Sequence, residues 1–72
     1  MDWTGCDLVE VIPGKVSGRP IVKGTRILAD TIDQYSARGA AVEEIREDYP
    51  SLSEETILRM IDYMKAQRAS AA

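Results

Sequence analysis

The sequence predicts a mainly α-helical fold in which a short N-terminal β-arm precedes a three-helix bundle. Residues before position 27 are rich in β-branched side chains, glycine and proline, whereas apolar residues after it recur at helical spacing. A chain of 72 residues makes a single domain. We therefore expect one domain, with the β-arm at 1–27, the bundle at 28–67 and a frayed tail at 68–72.

The β-arm is expected to contain a strand at residues 8–12, which ends at the turn signal Pro13-Gly14. Lys23-Gly24 lies between two short apolar segments and predicts a tight hairpin turn. The strand at 8–12 then pairs with residues 21–22 or with residues 26–27.

Two short strands leave an open sheet edge and are marginally stable, and a chain of this length buries only a modest core. We therefore expect a homodimer in which a second copy covers the arm. The residues expected to be buried in that interface are apolar residues of the arm: Trp3, Val9, Val11, Ile21 and Val22.

The first helix is expected at residues 28–38, because apolar residues there follow the spacing of a core-facing stripe and Gly39 supplies a stop. The stripe consists of Leu28, Thr31, Ile32 and Tyr35. The second helix is expected at 42–49, before Pro50. Its cap position falls on Ala41, which has no side-chain oxygen to accept a free N–H, so its start should be weak.

The third helix is expected at residues 54–67, with Ser53 as its cap. Leu52 and Ile57 lie at the positions of a hydrophobic staple. The apolar face of this helix consists of Ile57, Leu58, Ile61 and Met64, and it is widened by Met60 or Tyr63.

The composition lacks the residues that most catalytic and metal sites need. The chain has no histidine, and Cys6 is its single cysteine, so an intrachain disulfide and the usual nucleophile–base pairs are missing. We therefore expect no enzymatic activity, no cofactor and no metal site. The acidic cluster of Glu43, Glu44, Glu47 and Asp48 is interpreted as a solvated face rather than a cation site. The lone cysteine and the absence of a signal peptide favour the reducing cytoplasm, and no apolar run is long enough to cross a membrane.

Charge is distributed unevenly along the chain. Residues 1–10 hold three acids and no base, residues 11–26 hold four bases and no acid, and the remaining residues hold nine acids and five bases. The four bases are Lys15, Arg19, Lys23 and Arg26. This asymmetry favours contact of the basic segment with an acidic partner or a phosphate. The other interpretation, in which the arm folds back on the acidic helices, stays open at this point.

Two stretches together resemble a known family. Residues 18–27 read GRPIVKGTRI, and residues 42–50 read VEEIREDYP. This pattern is similar to that of the domain-of-unknown-function family 433, whose short prokaryotic members are grouped with VapB-type antitoxins, and the resemblance extends over roughly residues 8–64. The chain has Leu28 where the family has proline, and Ala41 where the family has serine.

The resemblance implies a homeodomain-like three-helix fold and, as a partner, a PIN-like ribonuclease toxin with an acidic active site. Arg19 and Arg26 are the residues expected to enter such a site, since their planar guanidinium groups suit carboxylates. The competing interpretation for Arg26 is an internal ion pair with Asp48. The sequence therefore predicts an antitoxin-like interaction protein that binds its toxin through the basic arm residues Lys15, Arg19, Lys23 and Arg26.

Two alternatives remain. The second and third helices have the lengths of a helix-turn-helix, so the protein could be a DNA-binding transcriptional regulator whose third helix presents Ser53, Thr56 and Arg59 to base edges. Glu54 and Glu55 oppose this, because they would lie beside phosphates, and the arm cations are better candidates for nucleic-acid contact. The other alternative is a structural dimer with no antitoxin role.

Overall fold

The computed structural model describes residues 1–71 and contains a two-stranded antiparallel sheet followed by three helices. This confirms the predicted mainly helical fold with a short N-terminal β-arm. In chain order the elements are β1 (Val9–Glu10), a short turn of 3-10 type (Val16–Gly18), β2 (Ile21–Val22), α1 (Ala29–Ala37), α2 (Val42–Asp48) and α3 (Glu54–Ala71).

The strand β2 lies in the middle of the β-arm and bonds on both sides. Val9 pairs with Val22 and Glu10 with Ile21 on one side, while the N–H of Val22 donates to the carbonyl of Ile27 (2.8 Å) on the other. The intervening turn contains Gly24 in the left-handed region, with φ of 79°. Of the two predicted partners of the first strand, residues 21–22 are therefore the ones it pairs with, while Ile27 bonds to β2 instead, and the predicted hairpin turn at Lys23-Gly24 is confirmed.

The strand β1 is shorter than the predicted 8–12. It ends at Glu10, and the two residues that follow are exposed, with 58% of Val11 and 36% of Ile12 accessible to solvent. Because β2 is itself only two residues long, it cannot pair with residues 11 and 12. The β-branched residues Val11 and Ile12 thus favour extended backbone although no strand pairs with them.

The helix bounds agree closely with the prediction at α1 and α2. Leu28 and Arg38 are the caps of α1, and Tyr49 is the C-cap of α2, so each predicted helix includes a cap residue. The third helix is longer than predicted, because α3 continues beyond residue 67 to Ala71. Within this extra turn an Arg68 Nη atom lies 2.5 Å from an oxygen of Asp33, which ties the helix end to α1. Residue 72 lies outside the described residues.

The caps of α2 and α3 fall on the predicted residues. Ala41 is the N-cap of α2 and makes no side-chain bond to a helix N–H. In contrast, Ser53 Oγ accepts a hydrogen bond from the N–H of Thr56 (3.1 Å) at the start of α3. Leu52 and Ile57 are both buried, as expected for a hydrophobic staple.

The core lies between the three helices and the inner face of the β-arm. The buried face of α3 consists of Ile57, Met60 and Met64, with Ile61 partly buried beside them. The predicted inclusion of Leu58 is wrong, since 43% of its surface is exposed. Positions 57, 60 and 64 form a stripe at helical spacing, and residue 58 falls on its flank. The remaining buried apolar residues come from the N-terminal segment, β2, α1, α2 and the connection before α3: Trp3, Cys6, Ile21, Val22, Ala29, Ile32, Ile45 and Leu52.

The first residues of the chain are fastened to the bundle. The indole N–H of Trp3 donates to an Asp30 carboxylate oxygen (2.8 Å), and its ring stacks on Tyr63 with centroids 5.7 Å apart. Trp3, Ile21 and Val22 are thus used by the chain's own core, and they are not free to form the predicted dimer interface. Of the five residues expected there, Val11 alone is exposed and Val9 is half-buried.

Candidate functional site: the basic arm

The basic arm, defined as Lys15, Arg19, Lys23 and Arg26, is carried by two tight turns. The first turn places Lys15 and Arg19 at its two ends. Its residues have positive φ, namely Val16 at 50°, Ser17 at 56° and Gly18 at 70°. Two backbone bonds close it, from the N–H of Gly18 to the carbonyl of Lys15 (3.0 Å) and from the N–H of Arg19 to the carbonyl of Val16 (3.1 Å). A left-handed conformation is strained for a β-branched residue such as Val16.

The second turn carries Lys23 and Arg26 between β2 and Ile27. Thr25 fixes this turn with its side chain: the Thr25 hydroxyl donates to the carbonyl of Val22 (2.8 Å), and Thr25 Oγ1 accepts from the N–H of Ile27 (3.0 Å). The N–H of Gly24 donates to a Glu10 carboxylate oxygen (2.9 Å), which joins the turn to β1. The turn is therefore held from within, and its two cations are not needed to hold it.

The arm cations form no ion pairs with the described part of the chain. The three ion pairs among residues 1–71 join Arg38 to Glu44 (2.5 Å), Arg59 to Asp7 (3.5 Å) and Arg68 to Asp33 (2.5 Å). Arg19, Lys23 and Arg26 are exposed, and Lys15 is half-buried. The arm thus does not fold back on the acidic helices through ion pairs, and its charge is directed to solvent.

The predicted pairing of Arg26 with Asp48 is wrong. Asp48 instead accepts a hydrogen bond from the hydroxyl of Tyr35, which joins α2 to α1. This hydrogen bond raises the pKa of Tyr35 above its ordinary value, because it stabilises the protonated phenol. The Tyr35 ring also contacts the edge of Tyr49 (6.1 Å between centroids) and the Arg38 guanidinium (4.6 Å).

The acidic cluster on α2 is divided among different contacts. Glu44 pairs with Arg38 and Asp48 accepts from Tyr35, while Glu43 and Glu47 are exposed. Within residues 1–71, the structure gathers no three acidic, cysteine or histidine side chains in a geometry that could hold a metal ion.

The residues predicted to face DNA are partly engaged in local contacts. The Ser53 hydroxyl donates to Thr56 Oγ1 (2.9 Å) while Ser53 Oγ caps the helix, so both hydroxyls serve the start of α3. Arg59 makes a loose contact with Asp7. Glu54 and Glu55 are exposed beside them. Arg59 is thus the one cation in the predicted DNA-facing set, and two carboxylates lie beside it in the sequence of α3.

Sequence reasoning missed two features of this region. The left-handed turn has no signal at Val16 and Ser17, since both residues normally avoid positive φ. The attachment of the N-terminal segment was only partly foreseen: the Tyr63 hydroxyl donates to the carbonyl of Asp2 (2.8 Å) and accepts from the N–H of Gly5 (3.2 Å). Such contacts join residues about sixty positions apart in sequence, and no local pattern predicts them.

Chemically, the arm offers four cations on backbone that is fixed by turns. Two of them are guanidinium groups, which bind carboxylates and phosphates through paired hydrogen bonds.

The part of the chain that the structure describes shows no helix long and apolar enough to cross a membrane.

Comparisons with known proteins place these residues in a family. A family model described as "Protein of unknown function (DUF433)" matches residues 9–64, which include all four arm cations. The structure is similar to the crystal structure of a DUF433 member protein from Anabaena variabilis, with a TM-score of 0.68 and 25% sequence identity. That match covers 90% of this chain but 64% of the other. No curated protein is significantly similar in sequence.

Proposed function

Since the chain belongs to the DUF433 family, whose description assigns no activity, we propose from its structure that it is a non-enzymatic interaction protein whose basic arm binds an acidic partner protein. The observation that carries this proposal is that the four arm cations have no ion-pair partner among residues 1–71, whereas three arginines elsewhere do. A fold that needed these charges for stability would pair them with its nine acids in the helical part.

The partner we propose is a PIN-like ribonuclease toxin, so that the protein acts as an antitoxin in the cytoplasm. A ribonuclease active site built from carboxylates is a site that guanidinium groups fit, and Arg19 and Arg26 are both exposed on fixed turns. Fixed turns reduce the conformational entropy lost on binding, which favours affinity. The toxin would be inhibited because the arm occupies its acidic groups.

The test compares two double substitutions that remove the same charge. Arg19→Ser with Arg26→Ser changes the arm, and Arg46→Ser with Lys65→Ser changes two exposed cations of the helices that also form no ion pair within residues 1–71. The ligand is a purified PIN-like protein encoded beside this gene, and binding is measured by calorimetry. We expect the arm variant to lose binding and the helix variant to keep it. Equal binding by both variants, or no binding by the wild type, would overturn the proposal.

The second candidate function is DNA binding through a homeodomain-like helix-turn-helix. It is favoured by the order of α2, a five-residue connection and a capped α3. It is opposed by Glu54 and Glu55 at the start of α3 and by the acidic α2. The same two variants distinguish it when duplex DNA from the gene's own promoter replaces the toxin. DNA binding that the arm variant loses, with a salt dependence lowered by about one unit per removed contact, would favour this function.

A further inference from the structure

We propose that the outer edge of β1 is a dimerisation site, at which a second copy of this chain pairs antiparallel with residues 9–12 about a two-fold axis at Val11. This inference does not depend on the proposed function. The partner at this edge is a second copy of the chain. The hydrogen-bonding groups, the apolar surface and the charges of the edge are each complementary to the same features of a copy rotated by 180°.

The backbone supplies the first argument. The N–H of Lys23 donates to the carbonyl of Leu8 (2.9 Å), and Glu10 is paired with Ile21, so residues 8 and 10 bond towards β2. Since successive residues of a strand point their backbone groups to opposite sides, Val9 and Val11 point theirs outwards. The Val9 N–H is used by the carbonyl of Cys6 (3.3 Å). Among the described residues 1–71, the N–H and the carbonyl of Val11 have no hydrogen-bond partner, and they remain as one donor and one acceptor on an open edge.

Apolar surface lies at the same place. Among residues 1–70 the large apolar side chains that are most exposed are Met1 (41%), Val11 (58%), Ile12 (36%) and Leu58 (43%). Two of these, Met1 and Val11, line one groove of about 360 Å³ whose other lining residues are Trp3, Val9 and Pro20 and the polar Asp2 and Thr4. A partner's Val11 that crosses the axis would enter this groove and cover apolar surface on both copies.

The register follows from the charges near the edge. Pairing centred on Glu10 would set two glutamates directly opposite each other, which is unfavourable. Pairing centred on Val11 sets Glu10 opposite Ile12 of the partner subunit and makes two hydrogen bonds between the Val11 backbone groups. The chain changes from acidic to basic between residues 10 and 11, so this register also lays the acidic segment of each copy along the basic segment of the other.

Continued outwards, the register brings Asp7 of each copy to Lys15 of the partner subunit. Pro13 and Gly14 end the strand there, and the N–H of Lys15 bonds back to the carbonyl of Ile12 (3.0 Å), so this contact lies beyond the ladder and joins the exposed Asp7 to the half-buried Lys15. The Asp7 side chain is 82% exposed, and within residues 1–71 its one ion pair is the loose 3.5 Å contact with Arg59. Lys23 and Arg26 lie in the turn on the other side of β2 and stay available to a further partner.

The first experiment measures mass by sedimentation equilibrium. We expect the wild type to form a species of twice 8.0 kDa. Val11→Lys should raise the dimer dissociation constant at least about tenfold, because a charged residue blocks a sheet edge. Leu58→Lys is the matched control, since Leu58 is similarly exposed but lies on α3, and it should leave the constant unchanged. Circular dichroism checks that both variants fold. Wild-type protein that stays at the mass of one chain at millimolar concentration, or equal constants for the two variants, would overturn the proposal.

The second experiment tests the register by charge reversal. Asp7→Lys and Lys15→Asp each place like charges together in a homodimer, so each variant alone should dimerise more weakly than the wild type. Mixed together, the two variants form a heterodimer in which both contacts join opposite charges. Native mass spectrometry should therefore show the heterodimer above its statistical share, whereas wild type mixed with its isotope-labelled copy shows the statistical share. A statistical mixture of the variants would overturn the assigned register.

Discussion

The helical part of the chain and the basic segment at residues 11–26 use their charged side chains differently. In the helical part, Arg38 and Arg68 pair with acids and Asp48 bonds to Tyr35, and each contact joins two elements or their ends. In the basic segment the four cations make no such contact among residues 1–71, while a threonine hydroxyl and backbone bonds hold the turns. Three of the five cations of the helical part thus contribute ion pairs to the fold, whereas all four cations of the basic segment are without an ion pair among residues 1–71 and are available for binding.

The N-terminal part also contributes buried residues to the core. Trp3, Ile21 and Val22 are buried, so the region consists of apolar anchors with a polar, exposed surface between them. If this division is correct, replacing an anchor should unfold the domain, and replacing an arm cation should not.

The largest effect is expected at Trp3. Trp3→Ala removes a side chain that is 5% exposed, its bond to Asp30 and its stacking on Tyr63, and should lower the free energy of unfolding by about 3–5 kcal/mol. A domain of this length has a total stability of only about 4–11 kcal/mol, so much of the protein should be unfolded. Urea titration followed by circular dichroism measures this. A loss below about 1 kcal/mol would show that the N-terminal segment is not part of the core.

The second prediction concerns the two helix starts. Ser53→Ala should lower stability by about 1 kcal/mol, because it removes the acceptor for the N–H of Thr56. Ala41→Ser should raise stability by about 1 kcal/mol, because Ala41 occupies the N-cap of α2 without a side-chain bond. Denaturation midpoints measure both changes. Opposite shifts of similar size would confirm the caps, and an unchanged midpoint for Ala41→Ser would show that the new hydroxyl does not reach the helix.

These elements show how much the sequence alone determined. Helix positions came from apolar spacing, Gly39 and Pro50, and the bounds of α1 and α2 differ from the prediction by one residue at most. The end of α3 was not predictable, since its contact with Asp33 comes from an element more than thirty residues away. The assignment of Leu58 to the apolar face of α3 was also wrong. Apolar residues at 57, 61 and 64 are compatible with either Leu58 or Met60 on the buried face, and tertiary packing buries Met60.

In the candidate site, too, the local sequence predicts some features, whereas others depend on contacts between distant residues. The four arm cations stand out in the sequence because no acid lies among them. Whether they are paired depends on three-dimensional contacts: the expected ion pair of Arg26 with Asp48 is absent among residues 1–71, where Asp48 accepts a hydrogen bond from Tyr35. The left-handed turn at Val16 is likewise fixed by its surroundings against the preference of its own residues.

The third prediction concerns alkaline pH and tests the hydrogen bond from the Tyr35 hydroxyl to Asp48. The hydrogen bond to Asp48 raises the pKa of Tyr35 in the folded protein above its ordinary value of 10.0. Stability from a raised pKa is fully present below the unfolded pKa and is lost as pH rises through the folded value. The wild type should therefore lose stability from about pH 10 upwards more steeply than Tyr35→Phe. Urea midpoints of both proteins between about pH 8 and 11 measure the difference, and parallel curves would contradict the hydrogen bond.

The smallest effect on stability is expected in the basic arm, where an unchanged free energy of unfolding would show that the charges do not contribute to the fold. Changing Arg19, Lys23 and Arg26 together to serine should alter the free energy of unfolding by less than about 0.5 kcal/mol, since all three are exposed and form no ion pair within residues 1–71. The control is Arg68→Ser, which breaks the ion pair with Asp33 and should cost about 0.2–1 kcal/mol. The triple variant, which removes three charges, should thus lose less stability than the control, which removes a single charge. If the triple variant instead loses more than the control, the arm charges contribute to the fold through contacts other than ion pairs, and the contrast between the two regions disappears.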